Sequence, residues 1–125
     1  MTPAAAPRGI AGVAVLAVLA GCALGPQPLY QWGTFPHQQY DTLRGAGQSP
    51  ADQIQALETQ SRKANAAHAA LPPGFRAHLG MLYLDAGDAD RARALWQDEK
   101  AAFPEAAPYM DQLLKRLDGP AKGAS

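Results

Sequence analysis

Pro73 to Ala106 reads PGFRAHLGMLYLDAGDADRARALWQDEKAAFPEA, and its spacing decides the fold. Phe75, Leu79, Leu82, Tyr83 and Ala86 recur at helical intervals, so they share one face of a first helix. Ala86-Gly87-Asp88 follows as a turn. Gly87 can adopt the left-handed conformation that closes a helix, and Asp88 can cap the next one. Ala92, Leu95, Trp96 and Phe103 form a second apolar stripe, and Pro104 marks its end. Two helices of this length cannot bury both stripes against each other alone, so flanking segments must close the core.

Working outward, Pro36 to Arg44 reads as a short helix with Pro36 at its first position and Tyr40 and Leu43 on one face. Gly45-Ala46-Gly47 breaks it. Ser49-Pro50-Ala51-Asp52 is a helix start, with a capping Ser, an N-terminal Pro and an acid in the first turn. That helix is expected to run to about Ala70, with Ile54, Leu57, Ser61, Ala64 and His68 on its narrow inner face. Leu71-Pro72-Pro73-Gly74 stops it. Beyond Pro104, Ala107 to Leu117 predicts a last helix with Tyr109, Met110, Leu113, Leu114 and Leu117 inward.

The central stretch resembles a tetratricopeptide repeat, a family of stacked helix hairpins with a period of about 34 residues. Leu79-Gly80 and Tyr83 fall at that family's first-helix positions, Ala92 and Trp96 at its second-helix positions, and Pro104 at its closing proline. Arg76 stands where the family has Trp, and Glu99 where it has a second small residue. In that family, residues between the core positions of the first helix face the inner surface. The resemblance implies that Ala77, Met81 and Leu84 do so here. Apolar helix faces are usually covered, so the helix from Pro50 is expected to pack over Met81 and Leu84. The other arrangement leaves them in an open groove suited to a partner.

The N-terminal segment is an address. Arg8 is the only charge in residues 1–40, and Ile10 to Ala20 is an unbroken apolar run, short of the ~20 residues that span a bilayer. Charge, apolar run and small residues make a secretory signal. Leu19-Ala20-Gly21-Cys22 resembles the bacterial lipobox, which implies cleavage before Cys22, a diacylglycerol thioether on its sulfur and acylation of the new amino terminus. Ala23 is not the Asp that retains such proteins in the inner membrane, which favours the outer membrane, facing the periplasm. Ala23 to Pro28 is an irregular tether. Leu29 to Phe35, LYQWGTF, is aromatic, with Tyr30 and Trp32 alternating as in an extended arm. Core packing and partner contact are both open for these two rings.

The order of lipobox, Tyr30-x-Trp32-Gly33, Pro72-Pro73-Gly74, Leu79-Gly80, Tyr83, Glu99-Lys100 and Phe103-Pro104-Glu105 resembles a family of small bacterial lipoproteins, domain of unknown function 4810. The resemblance implies an accessory role at the outer membrane, since members tend to be encoded beside two other envelope lipoproteins, one similar to the curli secretion channel. It carries no active site.

The 125 residues balance 11 basic against 11 acidic side chains, which gives no signal for nucleic acid. His37, His68 and His78 show no paired metal-ligand spacing. Asp85, Asp88 and Asp90 lack the calcium-loop pattern, and Asp88 suits a cap. Cys22 is the only thiol, and no Ser sits in a nucleophile elbow. The expectation is therefore a non-enzymatic, cofactor-free, all-α domain of about four to five helices, tetratricopeptide-like. It divides into a signal peptide (1–21), a lipidated tether and aromatic arm (22–35), the helical domain (36–118) and a disordered tail (119–125). Its expected role is a lipid-anchored, periplasm-facing outer-membrane adaptor for envelope lipoproteins. The alternative is a structural cell-wall tether or envelope stabiliser without a specific protein partner. Cys22 carries the lipid, and Tyr30, Trp32, Ala77, Met81 and Leu84 are the candidate partner-binding residues. Oligomeric state is not legible.

Overall fold

The computed structural model of the chain describes residues 2–3, 25–26, 28–45 and 47–119. Residues 4–24, which hold the apolar run of the signal segment and Cys22, and residues 120–125 of the expected tail lie outside the described residues. The domain is all-α. Its helices are α1 (Phe35–Leu43), α2 (Pro50–Ala66), α3 (Phe75–Asp85), α4 (Ala89–Ala102) and α5 (Ala107–Asp118), with a 3-10 turn at Pro104–Ala106 leading into the last. No helix among the described residues is long and apolar enough to cross a membrane.

The α3–α4 hairpin is the centre of the fold. At its turn the Asp88 N–H reaches the Tyr83 carbonyl at 2.8 Å and the Gly87 N–H reaches Leu84 at 2.9 Å. This double closure requires a left-handed residue, and Gly87 supplies φ 87°. The Asp88 side chain then accepts from the Arg91 N–H and caps α4. Between the helices Trp96, 1% exposed, lies across Gly80. A Cβ at Gly80 would meet the indole, with Cδ1 only 2.8 Å away. The indole N–H donates to the Ala77 carbonyl at 3.1 Å, so the buried ring has no unsatisfied polar group.

Two layers close this hairpin from opposite sides. Helix α2 starts as expected, with the Ser49 hydroxyl accepting from the Asp52 N–H at 3.2 Å. It buries Leu57 and Ala64, with Gln53 and Gln60 on the same face. From α2, Glu58 accepts a hydrogen bond from the Tyr83 hydroxyl, and Arg91 of α4 donates to that hydroxyl at 2.7 Å. One phenol thus ties three helices together. Burial and the bond to Glu58 push its pKa up. On the other side α5 runs antiparallel to α4 and buries Met110 and Leu113. Lys100–Asp111 at 2.6 Å and Arg93–Asp118 at 2.7 Å mark the register at either end.

Three sequence expectations need correction. Helix α2 ends at Ala66, not near Ala70. The Ala69 N–H bonds back to Ala64 at 2.9 Å and the His68 N–H to Asn65 at 3.1 Å, with His68 itself left-handed at φ 50°. This stop leaves His68 exposed and frees Ala70 to pair with the aromatic arm. Tyr30 bridges Ala70 in parallel, and the Gln31 N–H reaches the Ala70 carbonyl at 2.8 Å. Second, Tyr40 and Leu43 of α1 are exposed. That helix is anchored by Phe35 instead, whose ring packs 5.2 Å from Phe75. Third, Tyr109 points outward from α5, because the stripe that meets α4 is centred on Met110 and Leu113.

Gly80→Leu places a side chain where the indole lies. Overpacking of this kind costs about 1–3 kcal/mol, and at about 4–8 °C per kcal/mol a domain of this size should lose on the order of 10 °C in Tm. Thermal melting by circular dichroism checks it; an unchanged Tm would mean that α3 and α4 do not meet at Gly80.

Candidate functional site

Helices α3 and α5 both rest on α4, and a cleft remains between them. Its α3 wall is a single stripe, Ala77, Met81 and Leu84, at the i, i+4, i+7 spacing that aligns side chains along a helix. Its α5 wall is Tyr109, Met110, Leu113 and Leu117. The floor comes from α4 and the residue after it, Trp96, Glu99 and Phe103. The cleft has two compartments that share Met81 and Leu113. One of about 380 Å³ reaches Glu99, His78, Tyr109 and the Pro73-Gly74 turn. One of about 350 Å³ lies over Trp96, between Leu84 and Leu117, with Arg116 at its edge.

The cover expected from α2 is not there. That helix meets the opposite side of α3, where Tyr83 bonds to Glu58. Met81 is 38% exposed, while Ala77 and Leu84 are half-buried at the edge of the core. Three of the sequence-predicted site residues are thus brought together. Tyr30 and Trp32 are not with them. Tyr30 stands edge-on to Phe103 at 6.0 Å and to Trp32 at 6.3 Å, in a depression with Arg76 and Leu71 behind Phe103. Trp32 is 47% exposed. Gln60 fixes this arm: its side-chain N–H groups donate to the Gln31 and Trp32 carbonyls at 3.2 and 2.8 Å, and its oxygen accepts from the Thr34 N–H at 3.2 Å.

Sequence reasoning passed over the polar members of the cleft. Glu99 is 1% exposed. Its Oε1 accepts from the Gly74 N–H at the start of α3, where the helix dipole favours a negative charge. Its Oε2 has no hydrogen-bond partner among the described residues. The available signal was its position. Ala92, Trp96, Glu99 and Phe103 form one inner stripe, so an acid there is enclosed. His78, one position along from Ala77, also lines the cleft, and its Nε2 is buried without a partner among the described residues. Burial pushes its imidazole pKa below the usual 6.5. Among the described residues no three metal-binding side chains converge.

The profile of a family described as Domain of unknown function (DUF4810) matches residues 29–113. The match runs from the aromatic arm into α5 and covers more than half the chain, so the chain belongs to this family. No curated protein and no solved structure matches it.

The buried imidazole makes stability depend on pH. The unfolded chain takes up a proton on His78 near pH 6.5, whereas the folded state resists it to lower pH. The stability contribution is therefore complete above that pH and is lost as pH falls through the folded-state value. Between about pH 7 and about pH 5 the Tm should fall more steeply in the parent protein than in His78→Gln. Parallel pH profiles would show that His78 is as free to protonate in the folded state as in the unfolded chain.

Proposed function

We propose that this member of the DUF4810 family is a lipid-anchored adaptor on the periplasmic face of the bacterial outer membrane, and that it holds a segment of an envelope partner protein in the α3–α5 cleft. The observation that carries the reading is the cleft itself. Met81, Leu84, Leu113 and Leu117 line an open, largely apolar trough, two compartments long, beside the core. Apolar troughs between helices accept helical or extended peptide segments, and Met adapts to varied surfaces. We read the α3–α4 hairpin as one repeat of the tetratricopeptide kind. The Gly80–Trp96 contact, buried Ala92 and Pro104 after α4 support this, and in such repeats the inner face of the first helix is the binding face.

The membrane part of the proposal rests on Leu19-Ala20-Gly21-Cys22. Two or more acyl chains, at ~0.8 kcal/mol per buried methylene, hold a protein stably at a bilayer. Cys22→Ser should yield an uncleaved precursor that takes up no labelled palmitate. Processing and labelling of that variant would overturn the lipid anchor.

Binding is tested at Met81. Its side chain is partly in solvent, so Met81→Glu should change folding stability by no more than about 0.5 kcal/mol. It should also abolish co-purification of the partner, because docking would bury an unpaired carboxylate. Melting and co-purification are measured on the same variant. A stable variant that still captures its partner would remove the cleft from the interface.

A further inference from the structure

The cleft is not uniformly apolar, and its polar groups specify a charge. Two acids, Glu99 and Glu105, and one imidazole, His78, line the larger compartment, and no Lys or Arg does among the described residues. Glu99 is 1% exposed, and only one of its oxygens is used, by the Gly74 N–H. The other is buried and unpaired among the described residues. A buried carboxylate oxygen without a donor is costly, and a charged donor offsets that cost most fully. The other walls of the compartment, Ala77, Met81, Tyr109 and Met110, are carbon-rich. They suit a long aliphatic stem that ends in a cation.

We propose that the occupant of this compartment is a basic side chain, lysine or arginine, presented by a peptide segment of the partner protein. Its stem lies along Met81 and Tyr109, and its nitrogen pairs with the Glu99 carboxylate. The second compartment, over Trp96 between Leu84 and Leu117, takes an apolar residue of the same segment. Arg116 at its edge disfavours a second cation there. The cleft thereby reads polarity along the segment: basic at the Glu99 end, apolar at the Leu117 end. This inference rests on the adaptor reading above and adds the chemistry of the ligand.

The test uses blocked amino acids as probes of the full-length protein, followed by heteronuclear NMR. Nα-acetyl-arginine methylamide and its lysine counterpart should shift the Gly74, His78 and Glu99 amides saturably. The norleucine probe, which keeps the four-carbon lysine stem without its ammonium group, should bind on the order of tenfold more weakly, since a hydrogen bond to a charged group contributes that much or more. The glutamate probe should leave those amides unmoved. In Glu99→Gln the preference for arginine over norleucine should disappear. If that variant fails to fold, the comparison of probes on the parent protein still decides the matter. Norleucine binding as tightly as arginine would overturn the proposal, as would shifts confined to surface acids such as Asp111. Equal binding of 1,4-diaminobutane and the lysine probe would make the occupant a free polyamine and would also overturn it. No arginine preference in the parent protein, with Met81→Glu still blocking partner capture, would overturn this proposal and leave the adaptor reading standing. Arginine binding with no partner lost on Met81→Glu would separate the two the other way.

Discussion

The structure depends on one close approach, Trp96 over Gly80. Only a residue without a side chain lets the indole lie against the α3 backbone, and the indole N–H then has the Ala77 carbonyl as its acceptor. This fixes the separation and register of α3 and α4. Every other element is placed relative to that pair. Helix α2 covers the side bearing Tyr83, and α5 lies along α4. The cleft is the space that results, because α5 sits on α4 and does not close over α3. Trp96 is at once the wedge of the hairpin and part of the cleft floor.

Much of this was legible in the sequence because its signals are local. Gly87 and Asp88 determine a helix stop and start within three residues, and Ser49-Pro50 determines the entry to α2. Gly80 and Trp96 stand at first-helix and second-helix positions of the repeat that the stretch resembles. What failed to read depends on distant partners. His68 looked helical because nothing local forbids it. The helix stops short of it so that Ala70 can pair with Tyr30, about forty positions away in the sequence. Gln53 and Gln60 are of a residue type that is mostly exposed. Both are buried, with their amides satisfied by α1, the loop before α2 and the backbone of the arm.

The cleft shows the same limit more sharply. Ala77, Met81 and Leu84 are recognisable as a stripe off the main core. Whether α2 or solvent covers a stripe is decided by which side of α3 the Tyr83–Glu58 contact draws α2 toward, and that is a tertiary fact. Glu99 is the converse case. Its neighbours in sequence, Asp98 and Lys100, belong to a charged run that reads as a solvated helix face. Only its register with Trp96 and Phe103 encloses it. The acid is tolerated there because it accepts from the Gly74 N–H at the start of α3, and the same residue lines the cleft.

The aromatic arm connects these features to the proposed anchor. Gln60 clasps the backbone of Gln31 and Trp32, and Tyr30 packs on Phe103. Phe103 lines the Glu99 end of the cleft from its other side. The chain therefore enters the domain next to the acidic end of the trough, not the Leu117 end. In the lipid-anchored reading, residues 23–28 separate the acylated cysteine from the arm, and even fully extended they reach roughly 20 Å. The acidic compartment would then face a narrow zone near the bilayer surface. That geometry favours a partner segment close to the membrane, such as the membrane-proximal part of another anchored protein, over one projecting from deep in the periplasm.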